Sequence, residues 1–314
     1  MSKSRYGYAC INTVLKEEGY TVNKGMQQTS FLKRCKTESR ENVLADLSMR
    51  ISNNLVALKK VLYWNHEHNI DFYRMSSIMF TLEHLYELEE LPLWETIQKQ
   101  MQQIGEISKK LDIRLSFHPG PYNVLASKTD AVVEKTIKGL DFQSRLMDEM
   151  GLSRSHFNPI NIHVGGAFGD KKSSLERFAK NWDKLDEGTK SRLNIENDDR
   201  PNMFSALDLK YLHELIEIPI CFDYLHHRFC HSDQSEEEAV KMCYDTWKGC
   251  NPVVHVASST LEEDANSGRM ARAHAEYLHE EFNNYGLDID YMVEAKAKEQ
   301  ALLKWRNQYE LRIS

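Results

Sequence analysis

The feature that most constrains this chain is an alternation. Along its 314 residues, eight short apolar, β-rich segments are each followed by a longer segment of mixed polarity. The short segments fall at 6–12, 71–77, 113–118, 158–164, 192–196, 219–223, 252–256 and 288–294. The longer ones read as helices. Leu44, Leu47, Ile51, Leu55, Leu58 and Leu62 recur at spacings of three and four, and Val133, Ile137, Leu140 and Met147 follow the same rule. Ser173 with Glu176, and Ser235 with Glu238, match the Ser-x-x-Glu capping box that opens a helix. A last helix is predicted from about Ala295, with Leu302, Trp305 and Tyr309 on one stripe. Eight β-then-α units in this length predict an α/β chain folded as a (β/α)8 TIM barrel, a single domain over 1–314. The alternative, a doubly wound open sheet, usually has five or six strands and often a Gly-rich phosphate loop. Here Gly165-Gly166 lacks the G-x-G-x-x-G spacing, and no P-loop sequence is present.

Composition narrows the classes further. With 41% hydrophobic and 28% charged residues the chain is neither disordered, collagen-like nor a small disulfide scaffold. It holds no run of about 18 apolar residues, so no transmembrane helix is expected. The start, MSKSRYGYACIN, lacks the apolar stretch of a secretory signal, which predicts a cytoplasmic protein. Cys10, Cys35, Cys221, Cys230, Cys243 and Cys250 form no C-x-x-C pair and are expected as free thiols. The net charge of −7 argues only weakly against a nucleic-acid partner. A local basic groove can coexist with it, and bound cations would offset clustered carboxylates.

In such a barrel the chemistry sits at the C-terminal ends of the strands. His118 ends the third predicted strand, His163 the fourth, Glu196 the fifth, Asp223 the sixth and Glu294 the eighth. His255 lies in the seventh, His226 follows Asp223 by three residues, and His84 and His274 follow the second and seventh strands. Any one of these histidines, alone, is more often a hydrogen-bonded structural residue than a ligand, and a lone carboxylate there often caps the next helix. Their joint placement around one rim predicts a shared polynuclear metal site. His66, His68, His156, His213, His227, His231 and His279 are read as surface or helix residues, with His227 the nearest rival to His226.

The ordered set of short runs resembles the UV damage endonuclease family. The runs are Arg5–Asn12 (RYGYACIN), Tyr73–Ser77 (YRMSS), His118-Pro119-Gly120, Asn161–Gly166 (NIHVGG), Ile195–Asp198 (IEND) and Phe222–His227 (FDYLHH). They continue with Thr246–Gly249 (TWKG), His255–Ser259 (HVASS), Ala273–Tyr277 (AHAEY) and Asp290–Lys296 (DYMVEAK). The resemblance implies up to three bound ions, usually Mn2+, with Zn2+ or Mg2+ possible; nitrogen and oxygen donors without sulfur suit such metals. It implies that Glu196 bridges two ions, that His118 and His163 hold the first with Glu294 close by, that Asp223 and His255 hold the second, and that His226 and His274 hold the third. His84 would meet the phosphate or a metal. Tyr8 and Asn12 match positions facing the lesion, and Tyr122 matches half of a wedge pushed into the base stack.

This sequence departs from the family pattern twice. Pro121 stands where a glutamine commonly precedes the wedge tyrosine, and Val253 stands where a modified lysine is common. The expected activity is a nick in duplex DNA immediately 5′ to cyclobutane pyrimidine dimers or 6-4 photoproducts, and at abasic sites, leaving 3′-hydroxyl and 5′-phosphate ends. The expected partner is UV-damaged double-stranded DNA, with no membrane and a monomer as the default. Lys128, Lys171, Lys172, Arg200 and Arg228 in rim loops are candidate phosphate contacts. Rival readings are an apurinic endonuclease and a metal-dependent sugar isomerase on the same kind of barrel.

Overall fold

The computed structural model describes residues 4–266 and 268–309. Eight parallel strands close into a barrel in sequence order. They are β1 (Tyr6–Ala9), β2 (Phe72–Met75), β3 (Arg114–Phe117), β4 (Ile160–His163), β5 (Leu193–Glu196), β6 (Ile220–Asp223), β7 (Val253–Val256) and β8 (Asp290–Val293). Tyr6 of β1 pairs with Tyr291 of β8 and closes the ring. All eight predicted strands are present, each trimmed to four residues. The trimming has a local cause at β1. Cys10 turns into the left-handed region (φ 69°), and Asn12 caps the helix Thr13–Glu17 by accepting from Leu15 N–H.

Strands of a parallel barrel are covered on both sides, so their residues are buried almost throughout. Gly7 shows how closely they pack. A Cβ there would lie 2.3 Å from the Phe72 carbonyl oxygen of the neighbouring strand. The helix Arg40–Glu67 presents Leu44, Leu47, Ile51, Leu55, Leu58 and Leu62 to the core, as its periodicity requires. Ser235 and Glu238 form the predicted capping box, but Ser173 does not cap its helix. Asp170, three residues earlier, takes that position and accepts from Ser173 N–H, so the helix runs Lys171–Trp182. An unforeseen capping box joins Ser205 and Asp208. The last helix spans Lys298–Tyr309, starting three residues after Ala295.

The N-terminal end of the barrel is closed by charge. Arg114, fully buried, donates to Asp290 Oδ2 (2.7 Å) and to the carbonyls of Phe157, His156 and Asn251. The opposite end is left for the polar residues. All six cysteines are free. No helix among the described residues is long and apolar enough to cross a membrane.

Candidate metal centre

Strand register sets the ionisable groups level with one another. His163 of β4 is paired with Glu196 of β5, and Asp223 of β6 with His255 of β7. His118 and Glu294 follow the last residues of β3 and β8. The Glu196 carboxylate, 1% exposed, occupies the centre. Its Oε2 lies 3.1 Å from His118 Nε2 and 3.7 Å from His163 Nε2. Its Oε1 lies 3.1 Å from His255 Nδ1 and 3.3 Å from His226 Nδ1. One carboxylate thus offers each oxygen to a different pair of imidazoles.

Three triads bring their ligand atoms within 4.8 Å of one another: His118, Glu196 and His255; His163, Glu196 and His226; and Asp223, His255 and Glu294. The grouping differs in part from the one the resemblance implies, because His118 and His163 fall in different triads. Judged by the nearest carboxylate oxygen, they still share Glu196 Oε2. His274 stands outside the triads, its Nδ1 3.8 Å from Glu294 Oε2 and its ring 6.3 Å from that of His226. His84 is exposed on the short 3-10 turn Glu83–Leu85 and belongs to no triad.

The residues fit cations better than they fit one another. Asp223 Oδ2 is buried without a hydrogen-bond partner. His255 Nδ1 is also buried without one, although carboxylate oxygens lie 3.1 and 3.2 Å away. Close approach without hydrogen-bond alignment means that lone pairs converge on common points, as ligands do. The donors are nitrogen and oxygen only, which suits manganese, zinc or magnesium.

The electrostatics are those of a tightly packed charge cluster. Burial pushes the Glu196 carboxyl up, but His255 and His163 and the His118 hydrogen bond outweigh it and hold the group well below the usual range. Burial likewise opposes ionisation of Glu294, and Arg74 and His255 overcome it. Asp223 is raised, chiefly by burial, with Glu196 and Glu294 adding to the effect against His226. His163 is raised to about 10: burial lowers it, and Glu196 and Asp198 more than reverse that. His118 is lowered by burial despite its contact with Glu196.

Several residues around this cluster carry no expectation from the sequence. Arg74 of β2 pairs with Glu294. Asn161 of β4 donates to Glu196 Oε2. Asp198 lies 3.1 Å from His163 Nδ1, and the Asn197 side chain spans the Asp223 backbone. An arginine inside a four-residue, otherwise apolar strand was the one available signal for Arg74.

Two residues expected at the lesion, Tyr8 and Asn12, are buried in the DNA-free chain. Tyr8 is completely buried, its hydroxyl donating to Asn65 Oδ1 (2.8 Å) and accepting from Asn12 Nδ2 (2.9 Å). Asn12 is 3% exposed and is occupied in capping its helix. In the free chain both are joined in one chain of buried hydrogen bonds with Asn65. Tyr122, by contrast, is 88% exposed, with Pro121 exposed beside it. Four candidate phosphate contacts already have partners: Lys171 with Asp208, Arg200 with Asp199, Arg228 with Glu262 and Glu280, and Lys172 over the Tyr211 ring. His227, the rival to His226, is buried against the Phe222 ring and belongs to no triad.

Comparison with known proteins shows the family. The family model described as UV-endonuclease UvdE matches residues 4–312. A "UV-damage endonuclease" of Schizosaccharomyces pombe is 31% identical over 98% of this chain, which spans about half (51%) of that relative's length. A "UV DNA damage endonuclease" of Bacillus pumilus is 30% identical, covering 96% of this chain and 92% of the relative. The crystal structure of SacUVDE superposes with a TM-score of 0.83 at 32% identity, over 98% of this chain and 99% of that one. With a barrel, a carboxylate-centred histidine cluster and this extent of match, the chain belongs to the UV-endonuclease UvdE family.

Proposed function

We propose that this protein cuts one strand of duplex DNA immediately 5′ to UV photoproducts, and at abasic sites, by hydrolysis at a cluster of up to three divalent cations, Mn2+ first among them. The products are a 3′-hydroxyl and a 5′-phosphate. The observation that carries this reading is the buried Glu196, each of whose oxygens faces two imidazoles. Cations bound there would supply a hydroxide near neutral pH and charge neutralisation for the departing sugar oxygen.

The chain's own residues prepare that chemistry. Glu196 would hold the cations from the centre of the cluster, with Asn161 donating to its Oε2. Asp198 takes the Nδ1 side of His163, and the Pro119 carbonyl lies 3.1 Å from Nδ1 of His118. The Pro119 contact leaves His118 Nε2 aimed at the cluster, the usual way an outer hydrogen bond orients a ligating ring, while Asp198 acts on His163 through its charge. Asp223, His226, His255, His274 and Glu294 complete the ligand set. Arg74, paired with Glu294, holds that carboxylate beside the cluster. His84 is assigned to the phosphate from its exposed turn.

Recognition rests on deformability. A photoproduct is poorly stacked, so drawing it out of the helix costs less than flipping a sound pair, by a few kcal/mol. Tyr122 at its exposed loop tip serves as the wedge. Pro121 supplies no amide to fill the gap beside it. The test uses duplexes carrying a cyclobutane dimer, a 6-4 photoproduct, an abasic site or no damage, each with Mn2+. Nicks confined to damaged duplexes and lost with EDTA support the reading. Equal cutting of intact DNA, or full activity in EDTA, contradicts it.

A further inference from the structure

Phe168 has no place in the catalytic cluster, yet it is held in a costly way. It is 46% exposed, and its backbone lies in the left-handed region (φ 52°), where a bulky side chain is strained. Such strain persists where the surroundings over-determine it, and it collects at ligand-binding sites. The surroundings here are specific. The ring lies against Gly166, where a Cβ would come within 2.9–3.2 Å of three of its atoms. Lys128 Nζ stands 5.3 Å from the ring centroid and the Arg177 guanidinium carbon 5.4 Å. Arg177 is tied down by bonds to the Ala126 carbonyl and Ser174 Oγ, whereas Lys128 is exposed and makes no ion pair among the described residues. The nearby acid, Asp170, is engaged in capping the helix Lys171–Trp182.

The position also matters. Phe168 lies five residues beyond His163, on the loop after β4. Lys128 belongs to the loop after β3, which carries Tyr122. The loop after β3 is fastened to the loop after β4 and to the helix that follows it: the Val124 side chain fills the space beside Gly165, and Asn181 of the helix Lys171–Trp182 donates to the Leu125 carbonyl. An exposed ring flanked by two cations, one of them on the loop that carries Tyr122, matches a nucleic-acid strand. The ring suits a base face, and the cations suit the phosphates on either side.

We propose that Phe168, with Lys128 and Arg177, forms a second stacking platform that grips a strand of the damaged duplex beside the lesion. This rests on the DNA-cutting function proposed above. Binding there adds to affinity and not to bond cleavage, so the platform acts on KM.

The test compares wild type, Phe168→Gly, Phe168→Trp and Lys128→Gln on a dimer-containing duplex with Mn2+. Phe168→Gly is expected to raise KM about tenfold at unchanged kcat, with Phe168→Trp restoring it. Lys128→Gln is expected to lower the slope of log affinity against log salt by about one. Because glycine adopts the left-handed backbone freely, Phe168→Gly should keep its Tm. An unchanged KM in Phe168→Gly, or a fall in kcat and Tm without a KM effect, overturns the platform while leaving the endonuclease standing. Failure of wild type to nick any damaged duplex overturns both.

Discussion

Replacing Glu196 by glutamine keeps the shape of the central side chain and removes its charge. In the metal-free protein that charge lies 3.7 Å from His163 Nε2. At an effective dielectric constant of about 20, the Coulomb energy is about 4 kcal/mol. That corresponds to about three pH units in the His163 titration. The wild-type imidazole, lowered by burial but raised more by Glu196 and Asp198, titrates at about 10 against an ordinary 6.5. Because the folded value exceeds the unfolded one, this stabilisation is fully present below pH 6.5 and is lost as pH rises through 10. The ring is about a quarter exposed, and discounting for solvent leaves about 3 kcal/mol. Urea unfolding of metal-free wild type across that window should therefore show stability falling by about 3 kcal/mol. Glu196→Gln should lose less than about 1 kcal/mol over the same range. Histidine NMR should show the corresponding drop in the His163 midpoint. Parallel stability profiles, or an unmoved His163 midpoint, would refute the placement of Glu196 at the centre of the imidazoles.

Three further outcomes follow from the scaffold. Asp290→Ala strips the fully buried Arg114 of its carboxylate and should cost about 3 kcal/mol in urea unfolding, with three carbonyl acceptors limiting the loss. Gly7→Ala drives a Cβ against the Phe72 carbonyl oxygen and should cost at least about 2 kcal/mol by the same measurement. His156 is lowered to about 4 by burial and by Arg114, so the unfolded chain takes up its proton first as pH falls. Stability should drop by about 2 kcal/mol between pH 6.5 and 4, and His156→Asn should flatten that part of the profile.

The barrel was legible because its signal is repeated. Each strand is a short apolar run, and the helix Arg40–Glu67 carries six apolar residues at helical spacing that all turn inward. Strand ends were overextended because turn geometry is set by neighbours. Cys10 adopts a left-handed conformation, which its residue type does not announce. The ionisable rim was legible because polar residues closing apolar strands stand out: Glu196, Asp223 and His163 each end a strand. What sequence could not give was contact. Nothing near Tyr8 in the sequence announces that its hydroxyl meets Asn65, a partner 57 positions away on another element. Arg74 reads as one basic residue among forty until it meets Glu294, 220 positions later. Phe168 gave no periodic signal because its setting comes from two loops that only the closed barrel brings side by side.

The most direct test is crystallographic. Crystals grown or soaked in a manganese salt, measured above and below the Mn absorption edge, should show anomalous peaks on both sides of the Glu196 carboxylate. One should lie toward His118 and His163, the other toward His226, His255 and Asp223. Full Mn2+ exposure with no anomalous density between these side chains would contradict the metal centre and the hydrolytic function built on it.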